Sequence, residues 1–143
     1  MATIKQFEDL EVWQLARAFA NDVFETYTNN VSFSKDFELK NQINASSGSI
    51  MDNTSKGFGR GGRNEFLNFL SIAKGSAEES KSQLYKALDR KYIGQQKFDA
   101  LYNVAEGICK KTGAFVNYLN ATTHKGAKFK NRTPNSKPKT QNT

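Results

Sequence analysis

Four long segments of this chain repeat apolar residues at the three- and four-residue spacing of an α-helix, and this pattern limits its fold more than any other feature. The segments cover roughly residues 9–28, 35–57, 64–91 and 95–120. No stretch of comparable length alternates apolar and polar residues in the manner of a β-strand. The sequence therefore predicts an all-α fold.

The connections between the four segments are short, about residues 29–33, 58–63 and 91–94. Connections of this length join antiparallel neighbours, so we expect an antiparallel up-down-up-down four-helix bundle. Ser34 and Asn64 are the predicted N-caps of the second and third helices. The apolar face of the second helix is unusually small and polar, and Gly75 interrupts the third, which predicts close approach of another helix, within the bundle or from a second subunit.

Charge separates the chain into two parts. Residues 122–143 carry six basic side chains and no acidic one, whereas residues 1–121 carry fifteen basic and fourteen acidic ones. Beyond Ala121 the only large apolar residue is Phe129, so this segment cannot offset the entropy cost of ordering. We therefore predict a bundle domain over residues 1–121 and a disordered basic tail over 122–143.

The stretch KGFGRGGR, residues 56–63, contains the G-x-G-x-x-G pattern of dinucleotide-binding proteins. That site needs a strand before its first glycine and a helix opening at its last. Here a helix precedes the pattern, so the glycines are interpreted as turn residues. Gly57 is predicted to end the second helix in the left-handed conformation, and Gly61 and Gly62 to let the chain reverse.

The reversal of the chain does not require the basic residues of KGFGRGGR, so these residues are the first candidates for nucleic-acid binding. The predicted topology places the turn between the second and third helices at the same end of the bundle as the basic tail. Phosphate-backbone binding by this cluster would depend strongly on salt. Its members are Lys56, Arg60 and Arg63 of the turn and Lys125, Lys128, Lys130 and Arg132 of the tail.

Lys86, Arg90 and Lys91 form a second basic group, at the opposite end of the bundle. They are candidates for nucleic-acid binding, but cations also stabilise helix C-termini through the macrodipole, and that interpretation is favoured. Trp13, with Phe7 before it, could stack on a base; packing inside the bundle or against another subunit is the favoured role.

The residues for catalysis are scarce. Cys109 is the only cysteine and His124 the only histidine, too few for a structural zinc set, and Cys109 lies on an apolar stripe where a core thiol is expected. We therefore predict no enzyme activity, no catalytic or metal-binding residue and no cofactor. One cysteine, no secretory leader and no long apolar run predict a cytoplasmic protein without membrane association.

Several ordered motifs resemble one known family. They are FEDLEVWQLAR (7–17), the spaced Leu39, Gln42, Ile43, Ser49 and Ile50, KGFGR (56–60), EFLNFLSIAKGSAEES (65–80) and SQLYKALDRKYI (82–93). Together they are similar to the four-helix-bundle proteins of the 23S ribosomal RNA intervening-sequence family, over about residues 7–120. In one place the chain departs from the family, because Asn53-Thr54-Ser55-Lys56-Gly57 replaces the usual Asn-Ile-Ala-Glu-Gly.

The resemblance implies a homopentameric bundle with no established enzymatic activity. It also implies kinship with the accessory variability proteins of diversity-generating retroelements, basic pentamers that bind nucleic acid and a reverse transcriptase. Two hypotheses remain open. The chain is either an oligomer that binds RNA or other nucleic acid through its basic ends, or a protein-interaction scaffold for a reverse transcriptase or another protein partner.

Overall fold

The computed structural model describes residues 3–125, with side chains as far as Thr122, and every regular element in this part of the chain is helical. A short 3-10 helix, Phe7–Asp9, comes first. The α-helices that follow are α1 Glu11–Thr28, α2 Val31–Lys35, α3 Phe37–Gly59, α4 Arg63–Asp89 and α5 Gln95–Lys125. The prediction of an all-α fold is confirmed.

The four long helices pack in a ring in which each has two neighbours. α1 contacts α3, α3 contacts α4, α4 contacts α5, and α5 contacts α1. Connections of eight, three and five residues join the successive long helices, so their directions alternate, as predicted for an up-down-up-down bundle. The core holds the residues of the predicted apolar stripes, among them Phe19, Ile43, Leu84 and Ile108, each at most 1% exposed.

Serines, not large apolar side chains, fill the middle of the contact between α3 and α4. Ser46 Oγ lies 2.8 Å from Ser80 Oγ and donates to Gln83 Oε1 at 2.6 Å, while Ser76 Oγ donates to Ser49 Oγ at 2.8 Å. Small side chains let the two helices approach, and their hydroxyl groups satisfy one another where water is excluded. The predicted close approach on this face therefore occurs within the bundle.

The start of α3 differs from the sequence prediction. Ser34 was the expected N-cap, but it lies within α2, where its hydroxyl donates to the carbonyl oxygen of Tyr27. Asp36 caps α3 instead, because its Oδ1 accepts from the Leu39 backbone N–H at 3.1 Å. The predicted connection, residues 29–33, thus overlaps the five-residue α2. The Asn30 side chain caps α2 by accepting from Phe33 N–H at 2.8 Å.

The predicted cap of α4 is also wrong. Gly62 is the N-cap residue, with φ −99° and ψ 143°, and its carbonyl accepts from Phe66 N–H at 3.0 Å. Asn64 therefore already lies inside the first turn. Gly62 takes the extended cap conformation without a side-chain hydrogen bond. α4 therefore begins at Arg63, two residues earlier than a cap at Asn64 would allow.

Candidate nucleic-acid interface

The turn between α3 and α4 consists of Arg60, Gly61 and Gly62. Arg60 is the C-cap of α3, with its N–H directed at the carbonyls of Lys56 and Gly57, and Gly61 takes the left-handed conformation at φ 81°. The chain therefore reverses over three residues. The predicted role of Gly61 and Gly62 in the reversal is confirmed.

Gly57 has a different role from the one predicted. It lies inside α3 and is buried, and a Cβ at this position would come 2.6 Å from Phe69 Cβ. The prediction that it ends the helix in the left-handed conformation is wrong, because contact with α4, and not a reversal of the chain, requires this glycine. The close approach helps to fix the turn relative to α4.

Aromatic rings support the same end of the bundle. Phe58 packs edge-on against Phe66 at 5.8 Å between ring centroids, and Phe66 packs against Phe115 of α5 at 5.5 Å. All three are half-buried. The rings join α3, α4 and α5 immediately beneath the turn, so the turn sits on a packed base.

Three cations lie at this end of the bundle. Lys56 is exposed, and the Arg60 side chain is 53% exposed, with its guanidinium 5.3 Å from the Phe69 ring centroid and 3.9 Å from a Glu65 carboxylate oxygen. Arg63 donates to Asn64 Oδ1 at 2.7 Å. An exposed ion pair as long as that of Arg60 contributes little stability, so this arginine can exchange its partner for a phosphate at small cost.

The C-terminal part of α5 reaches the same end. Lys111 Nζ lies 3.3 Å from Glu11 Oε2, which places the first residue of α1 beside Lys111. The last turns of α5, from residue 112 to Lys125, therefore extend past the start of α1. After Glu106 the chain has no aspartate or glutamate. Lys125 is described only by its backbone, while Lys128, Lys130 and Arg132 of the predicted tail lie outside the described residues.

At the opposite end, Arg90 is engaged inside the chain. Its Nη1 lies 2.8 Å from Asp36 Oδ2, which also accepts from the Tyr92 hydroxyl at 2.8 Å. The backbone hydrogen bond from Leu39, with those from Tyr92 and Arg90, holds the pKa of Asp36 below its ordinary value. Arg90 thus joins the end of α4 to the start of α3 through an ion pair, while the macrodipole role favoured for this group stays a prediction.

Lys86 and Lys91 are exposed at that end. Lys91 has φ 64°, and the hydrogen bonds of Lys91 N–H to Leu88 and of Tyr92 N–H to Ala87 form a Schellman motif. A lysine stands here in the left-handed position that glycine usually takes. From Arg63 to Arg90 the helix rises about 40 Å, so the two basic groups cannot act on one short segment of ligand.

A partly buried ionic cluster between α4 and α5 was not among the sequence predictions. Lys81, whose side chain is only 13% exposed, binds Glu106 at 2.5 Å and Glu78 at 3.0 Å, and lies 5.1 Å from the Tyr102 ring centroid. Its hydrogen bonds to the two carboxylates raise the pKa of Lys81. The three-residue spacing of Glu78 and Lys81 indicates an ion pair on one helix face, but only the packing of α5 against α4 brings Glu106 to them.

Cys109 lies beside this cluster and is 3% exposed, as predicted for a core thiol. Burial, reinforced by the Glu78 carboxylate, raises the pKa of Cys109 to about 11. The thiol is therefore protonated near neutral pH and is a poor nucleophile. Among residues 3–125, no three histidine, cysteine, aspartate or glutamate side chains are grouped closely enough to hold a metal ion.

Trp13 is half-buried and packs against its own chain. Its ring meets Phe7 at 5.0 Å between centroids, and the Arg17 guanidinium lies 5.8 Å from its centroid. The packing role favoured from the sequence is thus observed within one chain. None of the helices between residues 3 and 125 combines the length and apolar character needed to cross a bilayer.

These features define an antiparallel bundle of four long helices with an aromatic-supported basic turn at one end. A family model described as 23S rRNA-intervening sequence protein matches residues 8–114, and the chain belongs to this family. The resemblance to the intervening-sequence proteins is thereby confirmed. The proposed kinship with retroelement proteins stays a prediction.

A solved structure agrees with this assignment. The chain is similar to a crystal structure of a protein of unknown function from the S23 ribosomal protein family of Bacteroides thetaiotaomicron, with a TM-score of 0.69 and 26% sequence identity. The similarity covers 73% of this chain and 97% of that one. A search of curated proteins found no match.

Proposed function

We propose that the protein binds RNA through the end of the bundle that carries the α3–α4 turn. The observation that supports this is the placement of Lys56, Arg60 and Arg63 in the last turn of α3, the α3–α4 turn and the first residue of α4, at the end to which the acid-free part of α5 also runs. Glu65 is the acid paired with this group, through a contact of 3.9 Å. The family name refers to ribosomal RNA, which makes RNA the first polyanion to test.

The electrostatics of the two ends favour the turn over the other basic group. Arg90 is held by Asp36 at 2.8 Å, and binding a phosphate would require it to leave a partner that also caps α3. Arg60 would leave only a long, exposed ion pair. Lys86 and Lys91 lie about 40 Å from the turn along α4. The basic tail, with Lys128, Lys130 and Arg132, would extend the contact in sequence from α5.

Fluorescence anisotropy with a labelled hairpin RNA tests this proposal in the full chain. Raising the salt from about 50 to 200 mM should lower the affinity, because the release of counterions from the RNA on binding becomes less favourable at higher salt. The slope of log affinity against log salt concentration should become shallower by about one unit for each phosphate contact removed. We expect the triple variant Lys56→Gln, Arg60→Gln, Arg63→Gln to bind at least tenfold more weakly at low salt, about 1.4 kcal/mol or more.

The matched control is Lys86→Gln with Lys91→Gln, which removes exposed cations from the opposite end and should leave the affinity near that of the unaltered chain. A second variant, Lys128→Gln, Lys130→Gln, Arg132→Gln, measures the contribution of the tail. Equal affinities for the turn variant and the control would contradict the proposal. So would the lack of any RNA binding at about 50 mM salt.

We also propose that the protein acts as a homo-oligomer, with the pentamer implied by the family resemblance as the expected state. Gly48 and Gly75 lie in the interiors of α3 and α4, and a Cβ at either would meet no atom within 4 Å. A helical glycine costs about 1 kcal/mol relative to alanine. Close packing of a second copy on this outer surface would supply the compensation that the single chain does not.

A protein-interaction scaffold is the second candidate, and exposed apolar residues favour it. Val31 of α2 is 71% exposed and Phe37, the first residue of α3, is 66% exposed. Both lie at the end opposite the α3–α4 turn. A reverse transcriptase or another protein partner could cover them. This candidate has no need of RNA binding, so the anisotropy experiment separates the two.

A further inference from the structure

Tyr118 is an exposed aromatic residue at the end of the bundle that carries the basic turn. It lies on α5 and is 62% exposed. The contact between Lys111 and Glu11 places the first residue of α1 two turns earlier, about 10 Å below Tyr118 along the axis. Tyr118 also lies beyond residues 8–114, which match the family model.

The level of Tyr118 along the bundle is set by the contact between α4 and α5. Phe66 and Phe115 meet at 5.5 Å between ring centroids, and the two helices are antiparallel. Three residues back along α4 is Arg63, and three residues forward along α5 is Tyr118. Both steps run about 4.5 Å toward the same end. The tyrosine thus stands at the level of the turn that carries Arg60 and Arg63.

The part of α5 that carries Tyr118 contains no acidic residue. Asn117, which precedes Tyr118 in the chain, is exposed, and its amide can both donate to and accept from a base edge. No acidic residue follows Glu106 in the chain. Contact with phosphates alone needs only cations, whereas an exposed ring at the same end as the cations suits a base that has left its helix.

We propose that Tyr118 stacks on an unpaired base, so that the ligand class is RNA with a loop, bulge or single-stranded segment rather than an uninterrupted duplex. Sequence-tolerant stacking of unpaired bases on aromatic side chains is a general mode of RNA recognition. This inference rests on the proposed RNA-binding function. The turn cations hold the phosphates, and the ring selects RNA in which a base is free to stack.

The test uses the full chain with two RNA probes of equal phosphate number: a hairpin with an unpaired loop, and a blunt duplex that contains the same stem sequence and is lengthened to match the hairpin. We expect Tyr118→Ala to bind the hairpin about tenfold more weakly and the duplex with unchanged affinity, since stacking contributes about 1–3 kcal/mol per base. Tyr118→Phe keeps the ring and should bind both probes normally. The salt slope should stay constant in both variants.

The matched control is Tyr85→Ala. Tyr85 is 49% exposed and lies toward the other end of α4, 4.8 Å from the Phe98 ring between centroids, so its removal should not change hairpin affinity. The helical circular-dichroism signal and the oligomeric mass of each variant are measured alongside. These readouts detect a loss of folding or assembly that would mimic a loss of stacking.

Three results would overturn the inference while leaving the proposed function intact. The first is salt-dependent binding of the hairpin that Tyr118→Ala does not weaken. The second is an equal loss for hairpin and duplex, and the third is a loss explained by a lower oligomeric mass, in which case the ring packs against another copy of the chain. Absence of binding to either probe would overturn the proposed function itself.

Discussion

Gly57 shows how one absent side chain fixes the distance between two helices. It is buried in α3 against α4, and the space that its Cβ would occupy is taken by Phe69, with Phe66 Cδ1 only 3.1 Å away. The Phe69 ring also lies beneath the Arg60 guanidinium. The position of the candidate phosphate-binding turn therefore depends on a glycine that has no polar role.

We predict that Gly57→Ala destabilises the fold by about 1–3 kcal/mol, because overpacking forces the two helices apart. Urea unfolding measures the loss as a lower midpoint. Gly59→Ala is the matched control: it is in the same helix, and its added Cβ would meet nothing within 4 Å, so the better helix propensity of alanine should leave stability unchanged or raised by up to about 1 kcal/mol. Equal midpoints for the two variants would disprove the role given to Gly57.

The sequence could place a tight turn within residues 56–63 but could not assign its glycines. A buried helical glycine and a left-handed glycine are the same letter, and only packing distinguishes Gly57 from Gly61, which alone among the described glycines has a positive φ. Tyr118 posed a similar difficulty. It lies two turns of α5 beyond the level at which α1 begins, which no local pattern reveals.

Among the secondary-structure elements, the start of α3 and the end of α4 meet at one carboxylate. Asp36 caps α3 through Leu39 N–H and accepts from Arg90 and Tyr92 across the bundle end. These bonds hold its pKa below 3.8, the ordinary value. The ionised carboxylate therefore favours the folded state, and its protonation costs more in the folded than in the unfolded chain.

We predict that Asp36→Asn removes part of the acid sensitivity of the fold. Because the folded-state pKa is lowered, the stabilisation is present above about pH 4, the unfolded value, and is lost as the pH falls through the folded value. The difference in unfolding free energy between the two chains should thus be constant near neutral pH and shrink in acid. Urea unfolding across a pH series measures it.

Asp52→Asn is the control, since it removes an exposed carboxylate from the same helix. A difference between Asp36→Asn and the unaltered chain that stays the same from neutral to strongly acidic pH would contradict the linkage. The asparagine can still cap α3, so the comparison isolates the charge of Asp36 from its capping geometry.

The long helices could be predicted because each has a sustained apolar period, while the short α2 could not. Five residues are too few to show a 3.6-residue period, and α2 holds a single buried residue, Phe33. The choice of Asp36 over Ser34 as cap follows from α2, because Ser34 is already occupied by Tyr27. Ser34 and Asp36 are both good N-cap residues, and the contact of Ser34 with α1 decides which of them caps α3.

For the whole molecule, the topology decides which charged residues share an end of the bundle. One end carries Lys56, Arg60 and Arg63 with the last turns of α5, which contain no acidic residue. The sequence could place these cations together, because an up-down-up-down topology fixes which turns share an end. It could not show that Arg90 is engaged by Asp36 or that Lys81 is held by Glu78 and Glu106, since those contacts join distant segments.

The proposed homopentamer predicts a mass about five times the 16.0 kDa of one chain. Light scattering on the purified protein measures it. Substitution of Gly48 and Gly75 by alanine should lower the mass if another copy packs closely on the outer α3–α4 surface, because an added Cβ on each helix would hold the copies apart. A mass of 16.0 kDa for the unaltered protein would contradict the assembly.

The unequal lengths of α1 and α5, 18 and 31 residues, have a consequence for local stability. The turns of α5 beyond Lys111 lack α1 beside them, so fewer contacts oppose their opening and their amide hydrogens should exchange with solvent sooner than those nearer the middle of the helix. A ligand that packs against these turns would lose part of its binding free energy in stiffening them. That stiffening would appear as slower amide hydrogen exchange around Tyr118 on binding. Hydrogen exchange at the C-terminal end of α5 would therefore show directly whether a ligand is bound there.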